Sequence, residues 1–433
     1  MSKFQISHLL LLSLALHLFV IPFPQDGFIF DEVYYVPAAE KALLLQPANT
    51  EQNPLAKIMI AISIKIFGDY WFAWRFPIVL TGIVSLYAFY LIAKHFMNER
   101  YALFATAMLS FDVIFFIHGS IFVLDMPSIC FGLIGIYLYL IKKYSWSAVS
   151  FGISFLMYAV GLLFLGVVII YHIITHQTFN EFKNKLNQKK LTVFLLVLLL
   201  ISGGGLWIYD IVYKPTSGTI VYVSFGINKI VDKNGNPVTT QTITQSITKG
   251  IVLTNPIENL AFSLNYFATL SPNLNTSAAQ YRPPWDWILP IGNSLNPPHY
   301  LTVVVTSGAI SQITIDWVSQ ITPFVEYFLI PIVIIAIIRI NRAKYDDKTG
   351  PFLLSWIIST YVPFLILGIY AYPHWTNFNY YMLYTIPVCA LGIPYVWSSL
   401  VKDEKKIKAI MFVQLILTVI FFFYFFPIPL IRG

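Results

Sequence analysis

Eleven apolar runs, most of them close to the length of a membrane-spanning helix, constrain what this 433-residue chain can fold into. The hydrocarbon core of a bilayer is about 30 Å thick, and a helix of roughly 20 apolar residues crosses it. The runs occupy residues 5–24, 74–93, 102–117, 127–141, 147–158, 160–174, 191–209, 324–338, 352–372, 381–400 and 409–426. Charged residues make up only 11% of the chain, whereas a soluble domain has about 25%. We therefore predict an all-α, polytopic membrane protein with about 11 transmembrane helices.

The basic residues alternate between the two sides of this predicted bundle. If the N-terminus is cytoplasmic, 17 of the 27 Lys and Arg residues fall in short loops on the same side as Lys3, as the positive-inside rule requires. Loops beside anionic membrane lipid account for the net charge of +7, and nucleic acid is not expected as a partner. No small-residue cleavage site follows Val20, so we expect the first run to remain as a span. The runs at 147–158 and 160–174 are short, and a single tilted helix there would invert the topology downstream.

A first long segment on the predicted outer face covers residues 25–73. Residues 37–45 and 54–67 space their apolar side chains at helical period, with Lys41, Lys57 and Lys65 on the opposite face. This pattern predicts two helices lying along the membrane surface.

A second outer segment covers residues 210–322. In it, residues 219–231 and 238–247 flank Asn234-Gly235, a hairpin turn signal that predicts a small mixed subdomain. The predicted organisation is an N-terminal transmembrane module (1–209) that includes the first outer loop, this extracytoplasmic subdomain (210–322) and C-terminal transmembrane helices (323–433).

Four carboxylates lie at or near the predicted outer membrane edge. Asp31 and Glu32 follow the first span, and Asp112 and Asp125 bracket the turn between the third and fourth spans. A charge at that depth is costly unless it is solvated, paired or functional. Asp31 and Glu32 could also cap the following helix, and Asp112 could be the buried partner of a basic or hydroxyl group.

Three ordered blocks give the chain a resemblance to a known family. The first is FDEVYY at positions 30–35, and the second is PLAK at 54–57, before an apolar helix ending in IFGD that WRFP at 74–77 follows. The third places FD at 111–112, then His118, then IFVLD at 121–125. Two islands follow, PWDWILP at 284–290 and FNYY at 378–381. Together they resemble the protein O-mannosyltransferase family, membrane enzymes of the GT-C glycosyltransferase fold, with continuous similarity over roughly residues 28–164.

The departures from the family pattern concern the cationic side of the site. The second block has Gln52, Asn53 and Ala56 where the family has His, Pro and Gly. Ser120 stands where the family has an arginine five residues before the second aspartate, a residue thought to face the donor phosphate. The lumenal domain of eukaryotic members is missing, as expected for a prokaryotic-type member in the cell membrane.

The resemblance implies transfer of a sugar, mannose in the family, from a polyprenyl- or dolichyl-phosphate donor to a hydroxyl acceptor such as protein Ser or Thr. Such a reaction needs a base for the acceptor proton and a cation for the leaving phosphate. Asp31 is the candidate base, Glu32 would position the acceptor or hold Asp31, and Asp125 would orient the first loop or the sugar, with the active site on the extracytoplasmic side and inversion at the anomeric carbon.

Further site residues follow from the matched blocks. Lys57 is the first candidate for the phosphate, with Arg282, Arg75 and His118 as substitutes for the missing arginine; a lysine at the membrane surface that extends its amine to water is the competing interpretation for Lys57. Tyr35, Asp112 and Trp287 are predicted substrate contacts, although a tryptophan can equally anchor a loop at the headgroup level. No His or Cys cluster has metal-ligand spacing, so no cofactor or obligatory divalent metal is expected.

Two alternatives stay open at this point. Transferases that modify lipids share the acid pair, so the acceptor could be a lipid or a glycan. A polytopic transporter is the second alternative, but its coupling acids should lie near the bilayer midplane on repeated, broken helices. The acids here cluster on one face, and no repeat is visible.

Overall fold

The computed structural model describes residues 5–25, 27–175, 185–214, 257–258, 261–263, 283–289, 299–307, 311–343, 347–371, 378–427 and 430–432. These parts are mainly helical. The helices in chain order are α1 (Ile6–Val20), α2 (Glu32–Leu43), α3 (Leu55–Phe67), α4 (Trp71–Phe96), α5 (Glu99–Ser110), α6 (Val113–His118), α7 (Asp125–Leu140), α8 (Tyr144–Met157), α9 (Leu162–Thr175), α10 (Lys185–Tyr213), α11 (Pro323–Glu326), α12 (Leu329–Ala343), α13 (Thr349–Thr360), α14 (Val362–Ala371), α15 (Ile386–Leu400) and α16 (Glu404–Phe425).

The prediction of a multi-pass, helical membrane protein is confirmed. Every apolar run of the sequence coincides with a helix or a pair of consecutive helices. Five segments within the described residues are long and apolar enough to cross a membrane: Trp71–Phe96, Lys189–Tyr213, Pro323–Arg342, Thr349–Ile369 and Glu404–Phe425. Four shorter apolar helical segments accompany them: Ile6–Val20, Asp125–Leu140, Ala159–Thr175 and Ile386–Leu400. That all eleven runs cross the bilayer stays a prediction.

Helices α8 and α9 are two separate elements rather than one long helix. Tyr158 adopts an extended conformation after α8, and a 3₁₀ turn at Ala159–Gly161 leads into α9. Both helices pack on α7, where Phe151 of α8 lies against Gly135 and Phe164 of α9 lies against Gly132. The absent side chains of these glycines let the aromatic rings approach the α7 backbone closely. The helix is thus interrupted between the two short runs, and that each of them crosses the membrane stays a prediction.

The first outer segment forms the two predicted helices, α2 and α3. Helix α2 begins at Glu32, earlier than the apolar period indicated, because the chain turns at Phe30 with a φ of 51° and the Asp31 carbonyl then accepts the N–H groups of Tyr34 and Tyr35. The prediction that the lysines of these helices lie on the face opposite the apolar side chains is wrong for one of them. Lys65 is exposed, but Lys57 is only 3% exposed and points into the protein.

A three-stranded antiparallel sheet lies toward the end of the second outer segment. Strand β1 (His299–Ser307) pairs with β2 (Ser311–Val318), and β2 pairs with β3 (Leu430–Arg432) near the C-terminus. The strands predicted at 219–231 and 238–247 lie outside the described residues. The sheet was not predicted, although the alternation in TVVVTSGAISQITID at 302–316 is typical of a hairpin.

The transmembrane core is built around α7, which packs against α4, α8 and α9. Helix α15 packs against α5 and α12 on the other side of the bundle. Both cysteines, Cys130 on α7 and Cys389 on α15, are free and buried. This packing brings the start of α7 close to the start of α2, and the two aspartates meet there.

Candidate active site

Asp31 and Asp125 are brought together by the starts of two helices. Asp31 immediately precedes α2, and Asp125 is the first residue of α7. The negative charge of Asp125 acts directly on Asp31, so the two carboxylates are neighbours. Asp125 is buried, with 9% of its surface exposed, and Asp31 is partly exposed.

The pKa of Asp31 is raised from 3.8 to about 7. Burial is the main cause, the charge of Asp125 adds to it, and hydrogen bonding from the Tyr35 side chain acts in the opposite direction. A carboxylate with a pKa near the working pH is a far better proton acceptor than an ordinary aspartate. The sequence indicated the position of this base but not its strength.

Four tyrosines surround the two carboxylates. Tyr35 from α2, Tyr158 from the turn after α8, and Tyr380 and Tyr384 from the 3₁₀ segment Asn379–Tyr384 all interact electrostatically with the pair or with one another. Aromatic rings with a hydroxyl combine an apolar face with a polar tip and suit a sugar. Tyr35 was predicted as a substrate contact. Tyr158, Tyr380 and Tyr384 were not predicted as site residues, because nothing in the sequence links these three tyrosines to the two aspartates.

Glu32, the second carboxylate of the FDEVYY block, has its acceptor sites occupied by protein donors. One oxygen accepts Arg75 Nε at 2.9 Å and the Phe122 N–H at 3.0 Å. The other accepts an Arg75 terminal nitrogen at 2.7 Å and the Ile29 N–H at 2.8 Å. Both side chains of this ion pair are fully buried. Glu32 therefore joins the first loop to α4 and to the loop before α7, and it does not face an acceptor in the site as its sequence position suggested.

Arg75 has no donor left for a phosphate in this arrangement. Besides its two bonds to Glu32, its terminal nitrogens donate to the carbonyls of Ile21, Pro24 and Gly27 at 2.8–2.9 Å. These bonds use all five N–H groups of the guanidinium. The geometry favours a structural role for Arg75 and revises its prediction as a phosphate ligand.

Lys57 is likewise committed to the protein. Its ammonium donates to the Asn49 carbonyl at 2.6 Å, the Asn49 side-chain oxygen at 3.1 Å and the Gln52 carbonyl at 2.7 Å. Burial lowers its pKa to about 7, against the opposing charge of Glu51. Neither the predicted phosphate contact nor a position at the membrane surface agrees with this geometry, in which Lys57 holds the loop before α3.

Asp112 and His118 lie at the two ends of the short helix α6, and both are fully buried. Asp112 caps the helix by accepting the Phe115 N–H at 2.8 Å and lies beside Thr322 and Glu326. The His118 ring packs against Tyr380 at 5.2 Å between centroids. The structure therefore places Asp112 in a carboxyl pair with Glu326 instead of on a substrate surface, whereas His118 lies behind a tyrosine of the site.

Trp287 anchors the segment 283–289 onto the bundle. It is 1% exposed and packs against the rings of Tyr361, Phe364 and Tyr381 at 6.0–6.4 Å, while Tyr361 donates to the Pro284 carbonyl at 2.8 Å. Trp285, the other tryptophan of this segment, is less buried than Trp287. Arg282 lies outside the described residues. Within the described residues there is no cluster of three or more His, Cys, Asp or Glu side chains that could hold a metal ion.

Comparison with solved structures identifies the fold. The chain has the fold of GT-C membrane glycosyltransferases. It superposes on the S. cerevisiae protein O-mannosyltransferase Pmt1–Pmt2 complex bound to the sugar donor with a TM-score of 0.67. The two sequences are 12% identical, and the match covers 98% of this chain and 89% of that one. ArnT from Cupriavidus metallidurans bound to undecaprenyl phosphate gives 0.54 and 13%, covering 91% and 61% of the two chains. The Archaeoglobus fulgidus oligosaccharyltransferase gives 0.55 and 11%, covering 98% and 56%. The chain thus spans about three fifths of the length of ArnT.

Within that class, residues 51–207 match the family described as dolichyl-phosphate-mannose-protein mannosyltransferase. The predicted resemblance to the protein O-mannosyltransferases is therefore confirmed over about a third of the chain, including Asp125 but not Asp31. No curated protein sequence matches the chain significantly.

Proposed function

We propose that this protein is a membrane glycosyltransferase that moves a sugar, mannose, from a polyprenyl-phosphate donor to a hydroxyl acceptor on the extracytoplasmic side, with protein Ser or Thr as the acceptor. The match to a mannosyltransferase family supports the donor class. The observation that carries the proposal is the pairing of Asp31 with Asp125 inside a ring of tyrosines, with the pKa of Asp31 raised to about 7.

The chemistry requires one bond to form and one to break. The acceptor oxygen attacks the anomeric carbon as the bond to the phosphate oxygen breaks, and Asp31 takes the acceptor proton. Polyprenyl phosphate leaves with the electron pair, and attack from the opposite face inverts the anomeric configuration. Asp125 holds the negative potential that keeps Asp31 basic and orients the sugar hydroxyls.

The leaving phosphate needs positive charge or hydrogen-bond donors. Arg75 and Lys57 use all their donors within the protein. We therefore transfer the phosphate contact to Arg282, supported by the hydroxyls of the site tyrosines and by His118, which lies against Tyr380. Arg282 precedes the segment that Trp287 fixes onto the bundle.

The deciding experiment is transfer of radiolabelled mannose from synthetic undecaprenyl- or dolichyl-phosphate mannose in membranes that contain the protein. Asp31→Asn should lower the rate by about 10²-fold or more, because it removes the proton acceptor and keeps the shape. Glu40→Gln on the same helix is the matched control and should keep wild-type activity. Wild-type turnover in the Asp31 variant would remove this residue from the base role.

The same assay separates the acceptor classes. Label in protease-sensitive material identifies a protein acceptor, and label in an extractable lipid that chromatography separates from the donor identifies a lipid acceptor. The transporter alternative is disfavoured because the acid pair lies at the starts of helices α2 and α7 and the fold is that of the glycosyltransferases.

A further inference from the structure

Ser120 occupies the position at which the family pattern has an arginine, and it is fully buried. It lies in the loop of residues 119–124 that joins α6 to α7 and ends at Asp125. Its hydroxyl donates to the Phe116 carbonyl at 2.9 Å and lies 2.7 Å from Nδ1 of His17 on α1. The loop is thus tied to the first helix of the protein, 103 residues away in sequence.

The direction of the second bond follows from counting hydrogens. A serine hydroxyl has one hydrogen, and it is directed at the Phe116 carbonyl. The tautomer of His17 that satisfies both contacts carries its hydrogen on Nδ1 and donates it to Ser120. The imidazole also stacks on the Phe116 ring, with 4.2 Å between centroids and 16° between planes. With 2% of its surface exposed, the ring is fixed from two directions.

A second clamp holds the same loop two residues further on. The Phe122 N–H donates to Glu32, whose other bonds fix it to Arg75. His17 holds the loop at Ser120, Glu32 holds it at Phe122, and Asp125 follows within three residues. The position of Asp125 relative to Asp31 therefore depends on both clamps, and one of them comes from α1.

We propose that His17 is a positioning residue of the active site that fixes the loop before Asp125 through Ser120, in the place where the family pattern has an arginine. The inference rests on the proposed function for its catalytic consequence. The loop has little free space on this side: a side-chain carbon added at Gly119 would lie 3.0 Å from the imidazole, and Ser120 itself has no exposed surface. His17 and Ser120 therefore place a neutral hydrogen bond where the family pattern has the charged side chain of an arginine.

Kinetics of sugar transfer provide the first test. His17→Phe keeps a ring for stacking but loses the donor, and it should lower kcat by about tenfold to a hundredfold, because a displacement near 1 Å has effects of that size. The donor KM should change little, since His17 does not touch substrate. Ser120→Ala should lower kcat to the same extent, and the variant that combines His17→Phe with Ser120→Ala should be no less active than either single variant.

A rescue and a control complete this test. His17→Asn, which places an N–H near the original Nδ1, should retain more activity than His17→Phe, and His8→Phe on the exposed face of α1 is the control.

Hydrogen exchange gives a readout that does not require activity. In purified protein, the amides of residues 121–125 should exchange at least tenfold faster in His17→Phe than in wild type, whereas the amides of α13 should not change. Wild-type exchange in this loop, or losses in kcat that multiply in the double variant, would overturn the inference. If the wild-type protein transfers no sugar while the loop still loosens in the variant, the proposed function fails and the clamp stands.

Discussion

At the scale of single residues, burial makes the carboxylate of Asp31 more basic than an ordinary aspartate. Burial raises its pKa first and the charge of Asp125 second, so removing that charge should lower the pKa while the larger effect of burial remains. We predict that the acid limb of the rate–pH profile lies near pH 7 in the wild type and moves to lower pH in the residual activity of Asp125→Asn. Initial transfer rates between pH 5 and 8.5 measure the shift. An unmoved limb would mean that the titrating group is not Asp31.

The same pKa makes a prediction for stability. The pKa of Asp31 in the folded protein lies above the value of 3.8 expected when unfolded, so its contribution to stability is present at low pH and is lost as the pH rises through about 7. Asp31→Asn should therefore melt at a higher temperature than wild type at pH 8, with a smaller difference at pH 5.5. An inactive variant that also melts lower at pH 8 would show that the loss of activity reflects unfolding.

The buried pair of Glu32 and Arg75 distinguishes a structural arginine from a phosphate ligand. Removing one partner of a buried ion pair leaves an unpaired charge and typically costs about 3–5 kcal/mol. We predict that Arg75→Met lowers the melting temperature and the yield of folded protein, and that Glu32→Gln combined with Arg75→Met is less damaging than Arg75→Met alone. A well-folded Arg75→Met protein with weakened donor binding would instead restore the phosphate role.

At the scale of elements, the sequence predicted what periodicity and helix capping control. Helix α3 appears where the apolar spacing placed it and α2 begins five residues earlier than predicted, but the direction of Lys57 could not be read from that spacing. Its orientation depends on three oxygens of Asn49 and Gln52 that fold back beneath the helix. The site tyrosines were hidden for the same reason, since tertiary packing alone brings Tyr158 and Tyr384 to Asp125.

A pair of buried acids lies where α11 meets α6. Asp112 and Glu326 are both fully buried and share a side-chain hydrogen bond. Two carboxyls can share such a bond only while one of them holds a proton, because an ionised carboxylate only accepts. We predict that Glu326→Gln raises the melting temperature at pH 8, because its amide can donate to Asp112 without a shared proton. A lower melting temperature at that pH would show that the acid pair itself stabilises this contact.

At the scale of the whole molecule, the apolar runs and the basic loops were sufficient to predict a polytopic helical bundle. A membrane protein needs apolar helices to cross the bilayer, and its basic residues collect in the loops on one side. The alternation in β1 and β2 was present in the sequence but was not used, whereas the pairing of β3 could not be predicted because β3 comes from the far end of the chain. Four exposed residues report on which side of the membrane each loop lies. Gln46 follows α2, Leu289 lies between α10 and α11, and Lys143 and Lys405 lie in the basic loops.

Cysteine labelling tests this topology directly, because the native cysteines Cys130 and Cys389 are 3% and 0% exposed and should not react. Gln46→Cys and Leu289→Cys should be labelled by an impermeant thiol reagent in intact cells, whereas Lys143→Cys and Lys405→Cys should be labelled only after permeabilisation. Leu289 is the sensitive position. If α8 and α9 together crossed the membrane once, the segment 283–289 would lie in the cytoplasm, Leu289→Cys would be protected, and Trp287 could not share a compartment with Asp31.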